Sequence, residues 1–159
     1  MTPPPADASA RTHAALFDQV ADHARSAGVF GAVRTEAAAV ACRALNPEAD
    51  AEYRLEVAED GGFWVGFFTH DRWLSQSVEA DLVHTGDKLH DLIEEEMIDL
   101  GLGRKLAPGD VVHFRDDDKR FVFRTRFDAA TPAGDLAKAL AAYEACFVEL
   151  GDVGESEED

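Results

Sequence analysis

The residues best suited to metal binding lie between positions 87 and 94. Asp87, His90, Asp91 and Glu94 stand at spacings that place them on one face of a helix. Imidazole and carboxylate groups are common metal ligands, and His90 and Glu94 are one helical turn apart. Four such groups are also common on the solvent-exposed face of an ordinary helix. The sequence has no second set of potential ligands with recognisable spacing. A metal-binding module or metal-dependent enzyme centred on His90 and Glu94 is therefore the alternative hypothesis.

A second group of residues would suit proton transfer. His70 and Asp71 are adjacent, and folding could bring them together with His84 or His113 as a general acid–base pair. The sequence contains no nucleophile motif and no phosphate-binding loop to accompany them. Without such motifs, we expect a non-enzymatic protein that needs no cofactor.

A third group of residues would suit the binding of a partner. In the segment FWVGFFTH (63–70), Trp64 and Phe68 alternate with apolar residues of the opposite face, so both faces of this strand need cover. With Trp73 just beyond, they predict an aromatic patch, and aromatic side chains are common anchors of protein interfaces. The competing interpretation is that the long middle helix of the same chain buries them.

Three arginines on the predicted strands, Arg54, Arg124 and Arg126, would rim this patch. Guanidinium groups bind carboxylates in a bidentate manner, so the arginines would attract an acidic segment of a partner. Arginines that alternate along a strand also occur as a plain solvated face that offsets nearby acids. Both interpretations follow from the pattern.

The elements that must position these residues follow from hydrophobic periodicity. Apolar residues at helical spacing predict a helix over 12–27, ended by Gly28. The alanine-rich segment 36–45 is ambiguous between helix and strand, and its position before a hairpin favours a strand. Alternation from Tyr53 predicts a strand with one polar face, and the Asp-Gly-Gly sequence at 60–62 predicts a tight hairpin turn.

The second half of the chain has equally local signals. An apolar stripe predicts a long, acidic helix over 78–100. The strands at 111–115 and 120–127, joined by DDDK, predict a second hairpin. The last helix is N-capped by Thr131 and followed by Gly151.

The composition limits the classes of partner. The chain has 15 lysines and arginines against 32 aspartates and glutamates, a formal net charge of -17. This charge argues against nucleic acid and anionic lipid surfaces. No apolar run approaches the roughly 20 residues that cross a bilayer, and the N-terminus lacks a signal-peptide pattern, so we expect a cytoplasmic protein. Cys42 and Cys146 form no CxxC motif and predict two buried reduced thiols.

One domain is expected over residues 11–151, because 159 residues with 46% hydrophobic content suit a single core. Residues 1–10 contain three consecutive prolines among small residues and predict a disordered arm. Residues 152–159 contain five acids and no basic residue, which predicts a disordered acidic tail.

The predicted order αβββαββα, in a small and strongly acidic chain, resembles the class I type III secretion chaperone fold and the related YbjN-like family of bacterial regulators. The resemblance covers residues 12–150 and lies in element order and composition, since these families have no compact motif. It implies an antiparallel sheet with helices packed against it, a homodimer, and apolar patches that hold extended client segments.

These observations lead to one hypothesis for fold and function. The chain is predicted to be an α+β protein and a non-enzymatic adaptor, chaperone-like or regulatory. It would act as a homodimer that recognises a partner protein through the aromatic sheet face around Trp64 and Phe68.

Overall fold

The computed structural model describes residues 6–36, 38–45, 50–71, 76, 89–103, 105–107 and 109–150. Among them, the helices are α1 (Ala6–Ala27), α2 (Leu89–Asp99) and α3 (Ala133–Leu150). The strands are β1 (Phe30–Glu36), β2 (Ala39–Ala44), β3 (Ala51–Val57), β4 (Phe63–Thr69), β5 (Val111–Arg115) and β6 (Phe121–Phe127).

The six strands form one sheet in the order β1-β2-β3-β4-β6-β5, and every neighbouring pair is antiparallel. The predicted α+β class is therefore confirmed, and the ambiguous alanine-rich segment is strand β2. The structure adds β1 in front of it. This strand was not predicted because it is an edge strand whose side chains are mostly exposed, which leaves little hydrophobic alternation to detect.

Both predicted hairpins are present. Gly61 has φ +91° in the turn between β3 and β4, where the amide of Ala58 donates to the carbonyl of Gly62 at 2.7 Å. In the second hairpin Lys119 has φ +65°, and the amide of Asp116 donates to the carbonyl of Arg120 at 2.9 Å. The turns join β3 to β4 and β5 to β6, and the two hairpins meet where β4 pairs with β6.

The helices cover one face of the sheet, called here the helix face. α1 packs against β1 and β2, α3 packs against β3 and β4, and α2 packs against α3. Aromatic rings fill the layer between them, with Phe67 and Phe147 stacked at a centroid distance of 4.5 Å. The fully buried aromatic residues of this core are Phe17, Tyr53, Phe63, Phe67, Phe123, Tyr143 and Phe147.

Both cysteines are buried thiols, as predicted. Burial raises the pKa of Cys42, on β2, to about 12. A thiol with so high a pKa holds almost no nucleophilic thiolate at neutral pH.

The first helix begins earlier than predicted. α1 starts at Ala6, so part of the segment 1–10, predicted to be disordered, is helical. Alanines at positions 6, 8 and 10 have high helix propensity, and the three prolines end at Pro5, before the helix. Residues 1–5 and the predicted tail at 152–159 lie outside the described residues. Within the described part of the chain, no helix has the length and apolar character needed to cross a membrane.

The contact between α2 and α3 contains a carboxyl group in an unfavourable environment. Burial, with the charge of Glu96 adding to it, raises the pKa of Glu144 from 4.5 to about 7. Between these two values the folded chain binds more protons than the unfolded chain, so folding stability falls as the pH rises from about 4.5 to about 7.

We expect Glu144→Gln to remove this loss. The variant will be more stable than the wild type by about 1–2 kcal/mol at pH 8, after allowance for solvent screening, and equally stable at pH 4. Urea denaturation at the two pH values measures the difference. Glu95→Gln, which changes an exposed acid on α2, is the matched control and should show no such pH dependence. Equal gains at both pH values would contradict the assignment.

Candidate functional site

The second face of the sheet, away from α1 and α3, carries the predicted site residues. The antiparallel register aligns them in cross-strand rows on β3, β4, β6 and β5. The rows are Glu56, Trp64 and Arg126; then Arg54, Gly66, Arg124 and Val112; then Glu52, Phe68, Val122 and Phe114. The structure therefore brings arginines and aromatic residues onto one face, as predicted.

Arg124 lies between two aromatic rings. Its guanidinium carbon is 3.9 Å from the ring centroid of Trp64 and 4.7 Å from that of Phe114. Among the described residues it has no ion-pair or hydrogen-bond partner, and its buried Nε is unsatisfied. Burial lowers the pKa of Arg124, and the charges of Glu56 and Asp116 oppose this effect. The group stays protonated, because arginine starts from a pKa above 12.

Arg126 is held differently. Its guanidinium forms an ion pair with Asp60 and lies 6.0 Å from the Trp64 ring centroid. The backbone amide of Gly62 also donates to Asp60, and this bond, with Arg126, lowers the pKa of Asp60. A Cβ on Gly62 would lie 2.7 Å from the backbone carbonyl oxygen of Phe127 and would also meet the Arg126 guanidinium, so glycine permits this close approach.

Arg54 is the centre of a compact ion cluster. It is only 9% exposed and donates to Glu36 at 2.8 Å, to Glu56 at 3.0 Å and to Glu52 at 3.3 Å. The hydrogen bond from Arg54 lowers the pKa of Glu36. Burial alone would raise the pKa of Glu52, but Arg34 and Arg54 have the larger effect together and lower it. Arg54 thus has acid partners on three sides and does not present a free cation.

The predicted aromatic residues differ in exposure. Trp64 is partly exposed, whereas Phe68 is only 4% exposed. The guanidinium groups of Arg54 and Arg120 lie over the Phe68 ring, at 5.7 and 4.8 Å from its centroid. Trp73 lies outside the described residues. Trp64 is therefore the aromatic anchor available to a ligand, whereas Phe68 is buried with Arg54 and Arg120 over its ring.

A cleft of about 560 Å³ opens beside Trp64, near the turn between β3 and β4. It is lined by Glu56, Val57, Ala58, Glu59, Asp60, Trp64, Arg124 and Arg126. This volume lies within the roughly 300–1,000 Å³ typical of ligand sites. The cleft combines an aromatic face, two arginines and three acids.

Sequence reasoning missed two residues that shape this site. Phe114 supplies the second ring against Arg124, and the polar residues around it in β5 concealed its role. Gly66 lies opposite both Arg54 and Arg124, and a Cβ there would be 2.7 Å from the Cβ of Arg124. A glycine inside an apolar strand is a recognised sign of such a close approach.

The residues of the metal alternative have other contacts. His90 Nε2 lies 3.4 Å from an Asp91 carboxylate oxygen, and Glu94 accepts a hydrogen bond of 2.5 Å from the backbone amide of Leu106. Glu94 thereby fixes the chain that leaves α2. Asp87 lies outside the described residues, among which no group of three or more potential ligands is placed to hold a metal ion.

The histidines considered for proton transfer have separate surroundings. His70 Nδ1 lies 3.4 Å from an Asp50 carboxylate oxygen at the end of β4. The His113 ring stacks on Phe123 at 3.8 Å, on the helix face of β5. His84 lies outside the described residues. The contacts of His70 and His113 therefore do not join them in one site.

The fold and the site define an α+β protein with helices on one sheet face and an arginine–aromatic layer on the other. No protein-family model, curated protein or solved structure matches the chain. The resemblance to secretion chaperones and YbjN-like regulators stays a prediction from element order, and the function is argued from the site itself.

Proposed function

We propose that this chain is a non-enzymatic adaptor that binds a carboxylate-bearing segment of a partner protein through Trp64 and Arg124. One observation carries the proposal. In a chain with 32 acids and 15 basic residues, Arg124 has no acid partner among the described residues, although Arg54, Arg120 and Arg126 on the same face each have one. In so acidic a chain, an arginine whose described contacts are aromatic rings and include no acid is best explained by an anion supplied from outside.

The surroundings of Arg124 favour recognition of a carboxylate. Contacts with the Trp64 and Phe114 rings restrict the guanidinium, so little side-chain entropy is lost when a ligand binds. The in-plane N–H groups match the two oxygens of a carboxylate. A long polyanion such as nucleic acid would meet the repulsion of the whole chain, whereas one carboxylate interacts mainly with the nearest cation, because salt screens charges beyond about 10 Å.

The wider proposal follows the resemblance of the sequence. We place the adaptor in the cytoplasm as a homodimer, with a chaperone-like or regulatory role toward its partner. The extended form in which secretion chaperones hold clients suits a binding surface built on a sheet. The sheet face supplies the arginine and tryptophan that would hold such a segment.

A random-peptide display library tests the proposal, because it offers the cleft segments of every charge and leaves the choice of ligand to the protein. We expect the wild-type chain to enrich peptides that share an aspartate or glutamate. Arg124→Gln should weaken the binding of these peptides at least about 30-fold, because truncating one member of a desolvated charge pair is costly. Arg115→Gln, an exposed arginine at the edge of the sheet on β5, is the matched control and should retain binding.

Thermal unfolding of both variants will show that each is folded. Enriched peptides without a carboxylate, or equal binding by the wild type and Arg124→Gln, would refute the proposal. Fluorescence anisotropy of labelled peptides gives the affinities.

A further inference from the structure

The charges that line the cleft beside Trp64 are mostly paired within the chain. Arg126 is bound to Asp60, and Glu56 accepts a hydrogen bond from Arg54 at 3.0 Å. Two charges are left. Among the described residues, neither Arg124 nor Glu59 has an ion-pair or hydrogen-bond partner. The cleft thus presents one unpartnered cation and one unpartnered anion, with the Trp64 ring as a third feature.

We propose that this cleft recognises an extended peptide segment carrying a carboxylate and, within two residues of it, a lysine or arginine. The inference rests on the proposed function and specifies its ligand. Arg124 binds the carboxylate, the Trp64 ring packs against the apolar part of the segment, and Glu59 pairs with the basic side chain. The occupant is a partner protein segment of mixed charge.

Charge complementarity favours a mixed-charge segment over segments with charges of one sign. A segment with acids alone would place negative charge near Glu56, Glu59 and Asp60, and like charges at close range are repelled. A segment with basic residues alone would leave Arg124 unpartnered in its partly buried position. A segment with both signs pairs with both Arg124 and Glu59.

The dimensions agree with a short extended segment. A strand rises about 3.3 Å per residue, and residues i and i+2 project from the same face, about 7 Å apart. Two such side chains with the backbone between them suit a cleft of about 560 Å³. We therefore assign the acid and the base a separation of two residues, which places both side chains on the same face of the segment.

Four labelled pentapeptides with blocked termini test this inference on the full chain. The first carries aspartate and lysine two residues apart, the second replaces lysine with glutamine, the third replaces aspartate with asparagine, and the fourth carries both replacements. We expect the first to bind about 10-fold tighter than the second. The third and fourth should show no binding up to millimolar concentrations.

The variants test the role of Glu59 and the role of Arg124 separately. Glu59→Gln should reduce the affinity for the mixed-charge peptide to that for the acidic peptide, while Arg124→Gln abolishes binding of both. Glu95→Gln, an exposed acid outside the cleft, is the matched control and should change nothing. If the acidic peptide binds as tightly as the mixed one and Glu59→Gln has no effect, this inference is wrong and the proposed function stands. If no carboxylate peptide binds, or binding survives Arg124→Gln, both are wrong.

Discussion

Arg54→Ala will lower the free energy of unfolding by about 3–5 kcal/mol at pH 7, because removing one member of a buried ion cluster leaves buried charge uncompensated. Arg54 is 9% exposed and bridges Glu36, Glu52 and Glu56. Without it, Glu56 on β3 loses this partner, and Glu36 on β1 and Glu52 on β3 keep only the half-exposed Arg34 among the ion pairs of the described residues. Repulsion and unmatched desolvation then act together.

Arg34→Ala is the matched control for this prediction. Arg34 contacts two of the same acids, Glu36 at 3.1 Å and Glu52 at 2.8 Å, but its side chain is 46% exposed. Solvent screens such a pair, so we expect its loss to cost about 0–1 kcal/mol. Guanidinium chloride denaturation followed by circular dichroism measures both variants. A similar cost for the two would show that burial of Arg54 adds nothing.

The pH dependence gives a second measure of the Arg54 cluster. The pKa values of Glu36 and Glu52 are lowered in the folded chain from 4.5, so their contribution is present above about pH 4.5 and is lost as the pH falls through the folded values. Protonation also removes the repulsion in Arg54→Ala. The difference between this variant and the wild type should therefore shrink below about pH 4.

The turns and helices were predictable because their signals are local. The Asp-Gly-Gly turn, the DDDK turn and the start of α3 each depend on a few adjacent residues. β1 lacked such a signal, since an exposed edge strand needs no alternation. Its absence from the prediction also hid Glu36 as a possible partner of Arg54.

The roles of the arginines were not predictable, because partners across a sheet depend on strand order. Arg54 and Arg124 look alike in the sequence, because each follows an aromatic residue inside a predicted strand. Glu36 reaches Arg54 because β1, β2 and β3 are adjacent, although 18 residues separate the two in the chain. Phe114 reaches Arg124 because β5 pairs with β6. Only this pairing distinguishes an arginine with acid partners, such as Arg54, from one that has none within the described part of the chain, such as Arg124.

Gly66→Ala is the second substitution with a large expected effect, and it tests whether the backbone of β4 positions Arg124. The new Cβ would lie 2.5 Å from the carbonyl oxygen of Phe123 and 2.7 Å from the Cβ of Arg124. Neither atom is the end of a flexible side chain, so β4 and β6 must move apart. We expect a loss of about 1–3 kcal/mol, which outweighs the roughly 0.5–1 kcal/mol that alanine gains over glycine in a strand.

Gly134→Ala is the same chemical change, but we expect it to raise the stability of the chain. Gly134 lies in the first turn of α3, and a Cβ there meets no atom within 4 Å. Helix propensity then acts alone and should stabilise the chain by up to about 1 kcal/mol. Because Gly66→Ala also displaces Arg124 from its place between Trp64 and Phe114, it should weaken binding of carboxylate peptides, whereas Gly134→Ala should not. Retention of full peptide affinity in a folded Gly66→Ala variant would show that the guanidinium position is set by its own stacking rather than by the strand.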